Sequence, residues 1–355
     1  MNLQFKGCAI TGQLLIVPEN ERTFLEDMKT FNFSEARSLK LKAVMGYDKH
    51  RVVKDGTCVS DLVAAGFEYL FQKDFITKEE LDAMILMTAS PDHFLPQTSA
   101  VIHGKLGFKQ DMLCLDITQG CCGFVVGLIE AFSLLSQPAI NKVALVTADV
   151  LSRKVSQKDR NSYPLVGDAA SITIIEKTTE NHAIFANFKM DGSRCNALQI
   201  PAGGFRLPST PETGIMEDTG DNNFRSKDNL VMDGSAVFNF VMEEVPGLIE
   251  ALLGEADCTH SDVDYYLFHQ PNRFMLEKLA DAMNVSRDKM PSNVVEVYGN
   301  SSGTTIPAAI GLNLSDEICE RTLKICFAGF GVGLTWTSVL MNVGPMKFCE
   351  TFEYA

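Results

Sequence analysis

The sequence predicts an α/β protein made of two related halves, and three observations support this prediction. Short apolar segments with strand character alternate with helical segments along the 355 residues, which is typical of α/β proteins. The chain is long enough for two domains or for one large duplicated domain. Segments of the first half also have counterparts at one common spacing in the second half. The paired segments begin at Leu81 and Val263 and at Lys142 and Lys324, and a third pair contains Cys121 and Asn300.

This repeat divides the chain near its middle. Each copy has a strand that leads into a polar loop, then a strand, a turn of small residues and an apolar helix, and then a further strand. A repeat of this length indicates two related halves rather than a solenoid of short units. We therefore predict an N-terminal half over residues 1–180 and a C-terminal half over residues 181–355.

The most informative segment covers residues 116–132, where a strand passes through a tight turn into an unusually apolar helix. From Cys121 to Ser136 only Glu130 is charged, and a helix that is apolar all round is a buried one. Its N-terminus directs unpaired N–H groups and a partial positive charge at Cys121 or Cys122. Such a site favours a nucleophilic thiolate, whereas burial opposes it. The sequence leaves the net effect on the thiol pKa open.

A histidine and an asparagine follow the matching segments of the second half. His269 comes directly after a predicted strand, and Asn300 lies in the turn that corresponds to the cysteine turn. Taken singly, His269 is an ordinary loop histidine and Asn300 is a turn or capping residue. A buried cysteine, likewise, is most often a small hydrophobe. If the halves pack around a pseudo-twofold axis, the equivalent turns meet at the centre. We therefore expect Cys121, His269 and Asn300 to converge.

Composition narrows the class of protein. A formal net charge of −14 argues against a nucleic-acid partner, which requires a basic face. The ten cysteines are scattered, and no CxxC pair or zinc-like spacing occurs, so we expect reduced thiols in the cytoplasm and no metal. The first residues do not read as a signal peptide. No uncharged stretch is long enough for a transmembrane helix, so we expect no membrane association.

Four motifs carry a resemblance to a known family. They are Cys121-Cys-Gly-Phe124, His269-Gln-Pro-Asn272, Tyr298-Gly-Asn-Ser-Ser302 and Phe330-Gly-Val-Gly-Leu-Thr-Trp336. In order and spacing they resemble the thiolase-fold condensing enzymes, and most closely the β-ketoacyl-acyl-carrier-protein synthase III family. The similarity extends from the first strand to about residue 343. It implies an internally duplicated thiolase-like fold with layered α-β-α-β-α architecture.

The resemblance also implies an activity. Cys121 would be the nucleophile that takes an acyl group from a thioester starter, with Cys122 at a position where the family has alanine. His269 and Asn300 would stabilise the enolate formed when malonyl-carrier protein loses carbon dioxide. The backbone N–H groups of Cys121 and Val332 would form the oxyanion hole. The implied reaction is a decarboxylating Claisen condensation in fatty acid biosynthesis.

Further site residues and partners follow from the same resemblance. The implied partners are acyl carrier protein, an acyl-CoA or acyl-carrier thioester, and a second copy of the chain in a homodimer; no cofactor is implied beyond the substrates' own phosphopantetheine. The implied substrate contacts are Arg160, Gly234, Ser235, Asn272, Phe330 and Gly333.

The pattern departs from the family at the predicted nucleotide contact. Relatives that prime from acetyl-CoA have a tryptophan and an arginine where this chain has Lys40 and Val44. Loss of the stacking partner and of the bidentate cation predicts weaker nucleotide binding, so the starter could arrive on a carrier protein. Three alternatives remain open: acyl transfer to an oxygen or nitrogen nucleophile, a catalytically silent subunit of a heterodimer, and a redox sensor at Cys121 and Cys122. The acyl chain length is not predicted.

Overall fold

The computed structural model describes residues 1–220 and 222–355. The helices in this part of the chain are α1 (Phe24–Asp27), α2 (Glu35–Met45), α3 (Val59–Gln72), α4 (Thr98–Leu106), α5 (Gly123–Leu135), α6 (Gly234–Glu255), α7 (Arg273–Ala282), α8 (Val294–Val297), α9 (Thr305–Asn313) and α10 (Glu317–Glu320). Short 3₁₀ turns connect several of them; one of these, at Ser302–Thr304, leads directly into α9.

Most strands belong to two large sheets, and the remaining ones form small two-stranded pairs. The strands are β1 (Asn2–Phe5), β2 (Cys8–Pro18), β3 (Glu21–Thr23), β4 (Lys49–Arg51), β5 (Ala83–Met87), β6 (Leu113–Ile117), β7 (Lys142–Asp149), β8 (Ala169–Lys177), β9 (Ile184–Met190), β10 (Leu198–Gln199), β11 (Glu217–Asp218), β12 (Phe224–Arg225), β13 (Val231–Met232), β14 (Tyr265–Phe268), β15 (Leu323–Gly331), β16 (Thr335–Val343) and β17 (Phe348–Tyr354).

Four strands of each large sheet share one topology. The first has six strands in the order β17-β2-β8-β7-β5-β6, and the second has five in the order β1-β9-β16-β15-β14. In the first sheet, β2 and β7 run antiparallel to β8, and β5 runs parallel to β7. In the second, β9 and β15 run antiparallel to β16, and β14 runs parallel to β15. This shared order confirms the internal duplication.

Helices lie between the sheets and on both outer sides. In the middle layer, α5 contacts β5 and β7 of one sheet and β15 and β16 of the other, while α9 contacts β2 and β14. One outer layer contains α3 and α4, and the other contains α6 and α7. Strands covered on both faces are almost continuously apolar, as in β5, which is buried throughout. The predicted α-β-α-β-α architecture is confirmed.

The terminal strands cross the predicted halves. β1 pairs with β9 in the second sheet, and β17 pairs with β2 in the first. Residue 180 lies between β8 and β9. β8 is the last strand of the repeat in the first sheet, and β9 is the first strand of the repeat in the second sheet. The exchanged end strands join the two halves into one unit. The division into residues 1–180 and 181–355 remains a prediction.

One predicted strand is wrong. The sequence repeat predicts a strand before Asn300 that corresponds to β6, but residues Val294–Val297 form the short helix α8. Within the described residues, β14 is the edge of the second sheet, and no strand occupies the position that β6 has in the first sheet. Val294 instead packs into the central core and Val295 into a separate cluster around Phe24. A short apolar run can therefore be buried without sheet pairing.

Candidate active site

A cavity of about 580 Å³ brings the three predicted catalytic side chains together. Its lining includes Cys121, His269 and Asn300 as well as Phe330. Cys121 comes from the turn between β6 and α5, His269 follows β14, and Asn300 follows α8. Residues from both halves of the chain therefore line the same cavity, as expected if equivalent turns meet at the centre of a duplicated fold.

The two adjacent cysteines have different surroundings. Cys122 is fully buried, and its thiol donates a hydrogen bond to the carbonyl oxygen of Thr335 at 3.1 Å. Cys121 is partly exposed and lines the cavity. The predicted burial of the following helix is confirmed, because nine residues of α5 are buried. Of the two sulfur atoms, only that of Cys121 faces a space that a substrate could enter.

Gly331 makes room for the Cys121 thiol. A Cβ atom at this position would lie 2.6 Å from the Cβ of Cys121 and 2.8 Å from its sulfur, and the φ angle of Gly331 is +154°. Both observations require glycine. The sequence did not single out Gly331, although it lies in the predicted Phe330–Gly333 turn. The packing of this turn on the cysteine is visible only in three dimensions.

The Cys121 thiol is protonated at neutral pH. Burial raises its pKa to about 11, and the nearby Asp149 carboxylate adds to this increase. The backbone N–H groups of Val332 and of Cys121 itself hydrogen-bond to the sulfur and lower the pKa. Burial therefore raises the thiol pKa by more than the backbone N–H groups lower it, which is the balance that the sequence left open. The same two N–H groups are those predicted to form an oxyanion hole.

The His269 imidazole is neutral at physiological pH. Its side chain is 2% exposed, and burial lowers its pKa to about 3, although hydrogen bonding to the Ser302 backbone opposes this decrease. Its backbone N–H donates to the Ala328 carbonyl at 2.8 Å, which continues the pairing of β14 with β15. Its Nδ1 lies 2.8 Å from the Thr305 hydroxyl oxygen. The position of the ring is thus fixed from two sides.

Asn300 is held by both its backbone and its side chain. Its backbone N–H donates to the Leu165 carbonyl at 2.7 Å, and its own carbonyl accepts from Gly167 at 3.1 Å. Its Oδ1 accepts a hydrogen bond from the Ser302 N–H at 2.9 Å. This bond assigns the orientation of the amide, and it leaves the Nδ2 donor for the cavity.

The predicted substrate contacts divide into two groups. Gly234, Ser235, Asn272 and Phe330 line the same cavity as the three catalytic candidates. Gly333 and Arg160 are not among the lining residues of this cavity or of its neighbour.

Arg160 and Asn272 also have structural contacts. The Arg160 guanidinium lies 4.2 Å from the ring centroid of Phe33. Asn272 caps α7, because its side chain accepts the N–H of Met275 at 2.9 Å. The roles of these residues towards a substrate remain predictions.

A second cavity of about 210 Å³ adjoins the first at the cysteine. Cys121, Asn300 and Val332 line it together with mainly apolar side chains, among them Leu151 and Ile200. The sequence did not reveal this cavity, because its walls come from segments that are far apart in the chain. An apolar space beside the predicted nucleophile suits a hydrophobic part of a substrate.

In residues 1–220 and 222–355, no group of three or more His, Cys, Asp or Glu side chains could hold a metal ion. In the same residues, no helix combines the length and the apolar character needed to cross a bilayer.

Comparisons with known families agree with this fold. Residues 115–192 match the family model of 3-oxoacyl-[acyl-carrier-protein] synthase III. Residues 253–343 match the model of the C-terminal part of the same family. The first match includes Cys121, and the second includes His269 and Asn300. Both halves of the chain therefore match the same class of proteins, the thiolase-fold enzymes.

Individual relatives extend the similarity to nearly the whole chain. A putative 3-oxoacyl-[acyl-carrier-protein] synthase 3 of Campylobacter jejuni is 31% identical over 346 residues, which are 96% of each chain. A β-ketoacyl-[acyl-carrier-protein] synthase III of Lactococcus lactis is 32% identical over 83% of this chain and 88% of the relative. A solved 3-oxoacyl-(acyl-carrier protein) synthase of Burkholderia xenovorans has a TM-score of 0.92 at 30% identity and covers 100% of this chain and 99% of its own. The chain belongs to the 3-oxoacyl-[acyl-carrier-protein] synthase III family.

Proposed function

We propose that this protein catalyses the decarboxylating Claisen condensation of an acyl thioester with malonyl-acyl carrier protein. The observation that carries this proposal is the presence of Cys121, His269 and Asn300 on the wall of one cavity. A nucleophile and two neutral hydrogen-bond donors suit a reaction that first stores an acyl group and then builds negative charge on an oxygen.

In the first stage, Cys121 attacks the carbonyl carbon of the starter thioester. The bond from this carbon to the starter's sulfur breaks, a bond to the Cys121 sulfur forms, and the Cys121 proton ends on the departing thiol. The N–H groups of Cys121 and Val332, which hydrogen-bond to the sulfur, are placed to stabilise the oxyanion. One such donor typically contributes about 3–4 kcal/mol to the transition state.

In the second stage, malonyl-carrier protein enters the cavity and loses carbon dioxide. The electron pair of the broken carbon–carbon bond forms an enolate, whose oxygen accepts hydrogen bonds from His269 Nε2–H and Asn300 Nδ2. The enolate carbon attacks the acyl-cysteine, a new carbon–carbon bond forms, and the Cys121 sulfur leaves and regains a proton. Since the pKa of His269 is about 3, the imidazole serves this stage as a neutral donor.

The second cavity suits the acyl chain of the starter. Its volume of about 210 Å³ equals that of roughly seven water-sized groups. This is more space than an acetyl group fills, and the lining is mainly apolar. We therefore propose a starter with several carbon atoms in its chain.

The region around Arg160 favours a starter on carrier protein over one on coenzyme A. Lys40 and Val44 occupy the positions where the family's tryptophan and arginine would hold an adenine. Phe33 lies nearby in sequence, but the guanidinium of Arg160 stacks on it at 4.2 Å. An adenine ring would have to displace this contact, so the pantetheine arm rather than the nucleotide should supply the recognition.

We further propose that the protein is a homodimer and acts in a reducing compartment, the cytoplasm. All ten cysteines are free thiols, as is usual in such a compartment. β6 is an edge strand, and near it Phe94 and Leu95 are 69% and 88% exposed. Exposed apolar side chains beside an open sheet edge are typical of a surface that a second copy covers.

Release of carbon dioxide tests this function. The wild-type protein, given a starter thioester and malonyl-carrier protein, should release carbon dioxide and form a 3-oxoacyl product. His269→Ala should still acquire the acyl group but should lose decarboxylation by about a hundredfold or more. Condensation that persists in His269→Ala would contradict the assignment. Product formed on an added alcohol or amine without carbon dioxide would instead indicate acyl transfer to oxygen or nitrogen.

A further inference from the structure

The proposed second stage depends on which nitrogen of His269 carries the proton. A neutral imidazole has one N–H, on either Nδ1 or Nε2. Only the tautomer with the proton on Nε2 offers the enolate a donor. The group that faces Nδ1 therefore decides whether the histidine can act.

The side chain that faces Nδ1 is the hydroxyl of Thr305, the first residue of α9. The distance between His269 Nδ1 and Thr305 Oγ1 is 2.8 Å. Both residues are buried, with exposed fractions of 2% for His269 and 0% for Thr305. The contact is thus sheltered from water, and the hydroxyl can act as a donor or as an acceptor towards the ring.

Two acceptors compete for the single proton of this hydroxyl. The backbone N–H of Gln270 donates to Thr305 Oγ1 at 3.2 Å and uses one of its lone pairs. The Ser302 carbonyl, 2.9 Å from the same oxygen, can accept the hydroxyl proton, and it also accepts the backbone N–H of Thr305. The second acceptor is His269 Nδ1, which is buried and needs a donor in the tautomer that the proposed reaction requires. The Ser302 carbonyl keeps one hydrogen bond when the hydroxyl donates to Nδ1.

We propose that Thr305 is a positioning residue that donates its hydroxyl proton to His269 Nδ1 and thereby keeps the ring proton on Nε2. This proposal rests on the proposed function, because that reaction requires the proton on Nε2, whereas the ring-nitrogen spectra test the tautomer separately. Without the hydroxyl, the Ser302 carbonyl is the remaining polar partner near the ring. A carbonyl can only accept, so it would draw the proton to Nδ1 and leave Nε2 without one.

Two substitutions at this position and one at its neighbour test the proposal. Thr305→Val removes the hydroxyl with little change in volume, and Thr305→Ser retains it. Thr304→Val is the matched control, because Thr304 is equally buried but its hydroxyl contacts Thr147 at 3.1 Å instead of the histidine. Each variant is assayed for Cys121 acylation and for decarboxylation of malonyl-carrier protein. The ring nitrogen shifts of His269 are measured by NMR after selective ¹⁵N-histidine labelling, with His269→Ala for assignment.

Thr305→Val should acylate Cys121 as the wild type does but should decarboxylate about a hundredfold more slowly, the usual effect of losing one donor at a developing negative charge. Thr305→Ser and Thr304→Val should keep both steps. The spectra should show Nε2–H in the wild type and Nδ1–H in Thr305→Val. An unchanged tautomer or unchanged decarboxylation in a folded Thr305→Val would overturn the proposal. A wild type that never decarboxylates would refute the proposed function, while the spectra would still decide the role of Thr305.

Discussion

At the level of single residues, the protonation states of Cys121 and His269 determine what the site can do. Burial places the thiol pKa at about 11 and the imidazole pKa at about 3. The two groups therefore do not form a thiolate–imidazolium pair at neutral pH. Only roughly one molecule in 10⁴ carries the thiolate at pH 7, and stabilisation of this state depends on the N–H groups of Val332 and Cys121.

The pH dependence of alkylation tests this assignment. Because the thiolate is the reactive form, the rate of Cys121 alkylation by iodoacetamide should rise about tenfold for each pH unit up to a pH near the thiol pKa of about 11. Peptide mass spectrometry after short exposures would measure the rate, with the exposed Cys195 as an internal reference. A rate that is constant between pH 5 and pH 8 would instead indicate an ion pair with His269.

At the level of elements, the turn that carries Asn300 rests on a buried polar contact. Val166 forms a parallel bridge with Asn300, and its carbonyl oxygen lies 2.7 Å from His50 Nδ1. The other ring nitrogen of His50 lies 2.8 Å from an Asp27 carboxylate oxygen, and these two side chains are only 2% and 4% exposed. The contact links α1 and β4 to the segment that supports the Asn300 side chain.

Removal of the Asp27 carboxylate should destabilise the fold. Asp27→Ala leaves a buried ring nitrogen of His50 without its carboxylate partner, and an unsatisfied buried polar group typically costs about 1–3 kcal/mol. Urea unfolding followed by circular dichroism would measure the change. Asp281→Ala is the control, because Asp281 forms an exposed ion pair with Arg287 and should matter little. Equal stability of the two variants would show that the buried contact contributes nothing.

The sequence predicted the elements whose apolar pattern is decisive. The buried helix α5 and the strands β5, β7, β14 and β15 follow from continuous apolar runs of distinct length, and the duplication placed their ends together. The helix α8 could not be predicted in this way, because a short apolar run does not reveal whether a sheet has a vacant edge. The contact of Thr305 with His269 and the close packing of Gly331 on Cys121 depend on distant segments coming together. The sequence pattern does not show such contacts.

At the level of the whole molecule, one edge of the first sheet is open. Leu113 in the edge strand β6 is 40% exposed. Phe94 and Phe205, whose rings lie 5.4 Å apart, are 69% and 91% exposed. These exposed apolar side chains support the proposal that a second copy covers the β6 edge.

A charge on this edge should prevent association. Leu113→Lys should shift the protein from a dimer to the 39.0 kDa monomer, because an edge-strand lysine opposes sheet-to-sheet pairing. Sedimentation velocity would measure the mass. Leu25→Lys is the matched control, since Leu25 is 51% exposed but lies in α1, away from the edge. A wild-type monomer, or a Leu113→Lys dimer, would show that the copies do not meet at β6.

Intact-protein mass spectrometry tests most directly whether Cys121 carries the acyl group. After exposure to an acyl-carrier thioester, the wild type should gain the mass of one acyl group, and added malonyl-carrier protein should remove it. Cys122→Ser should behave in the same way, because Cys122 faces Thr335 rather than the cavity. Cys121→Ala should gain no mass. Acylation of Cys121→Ala, or a wild type that acquires no acyl group from any thioester, would contradict the account.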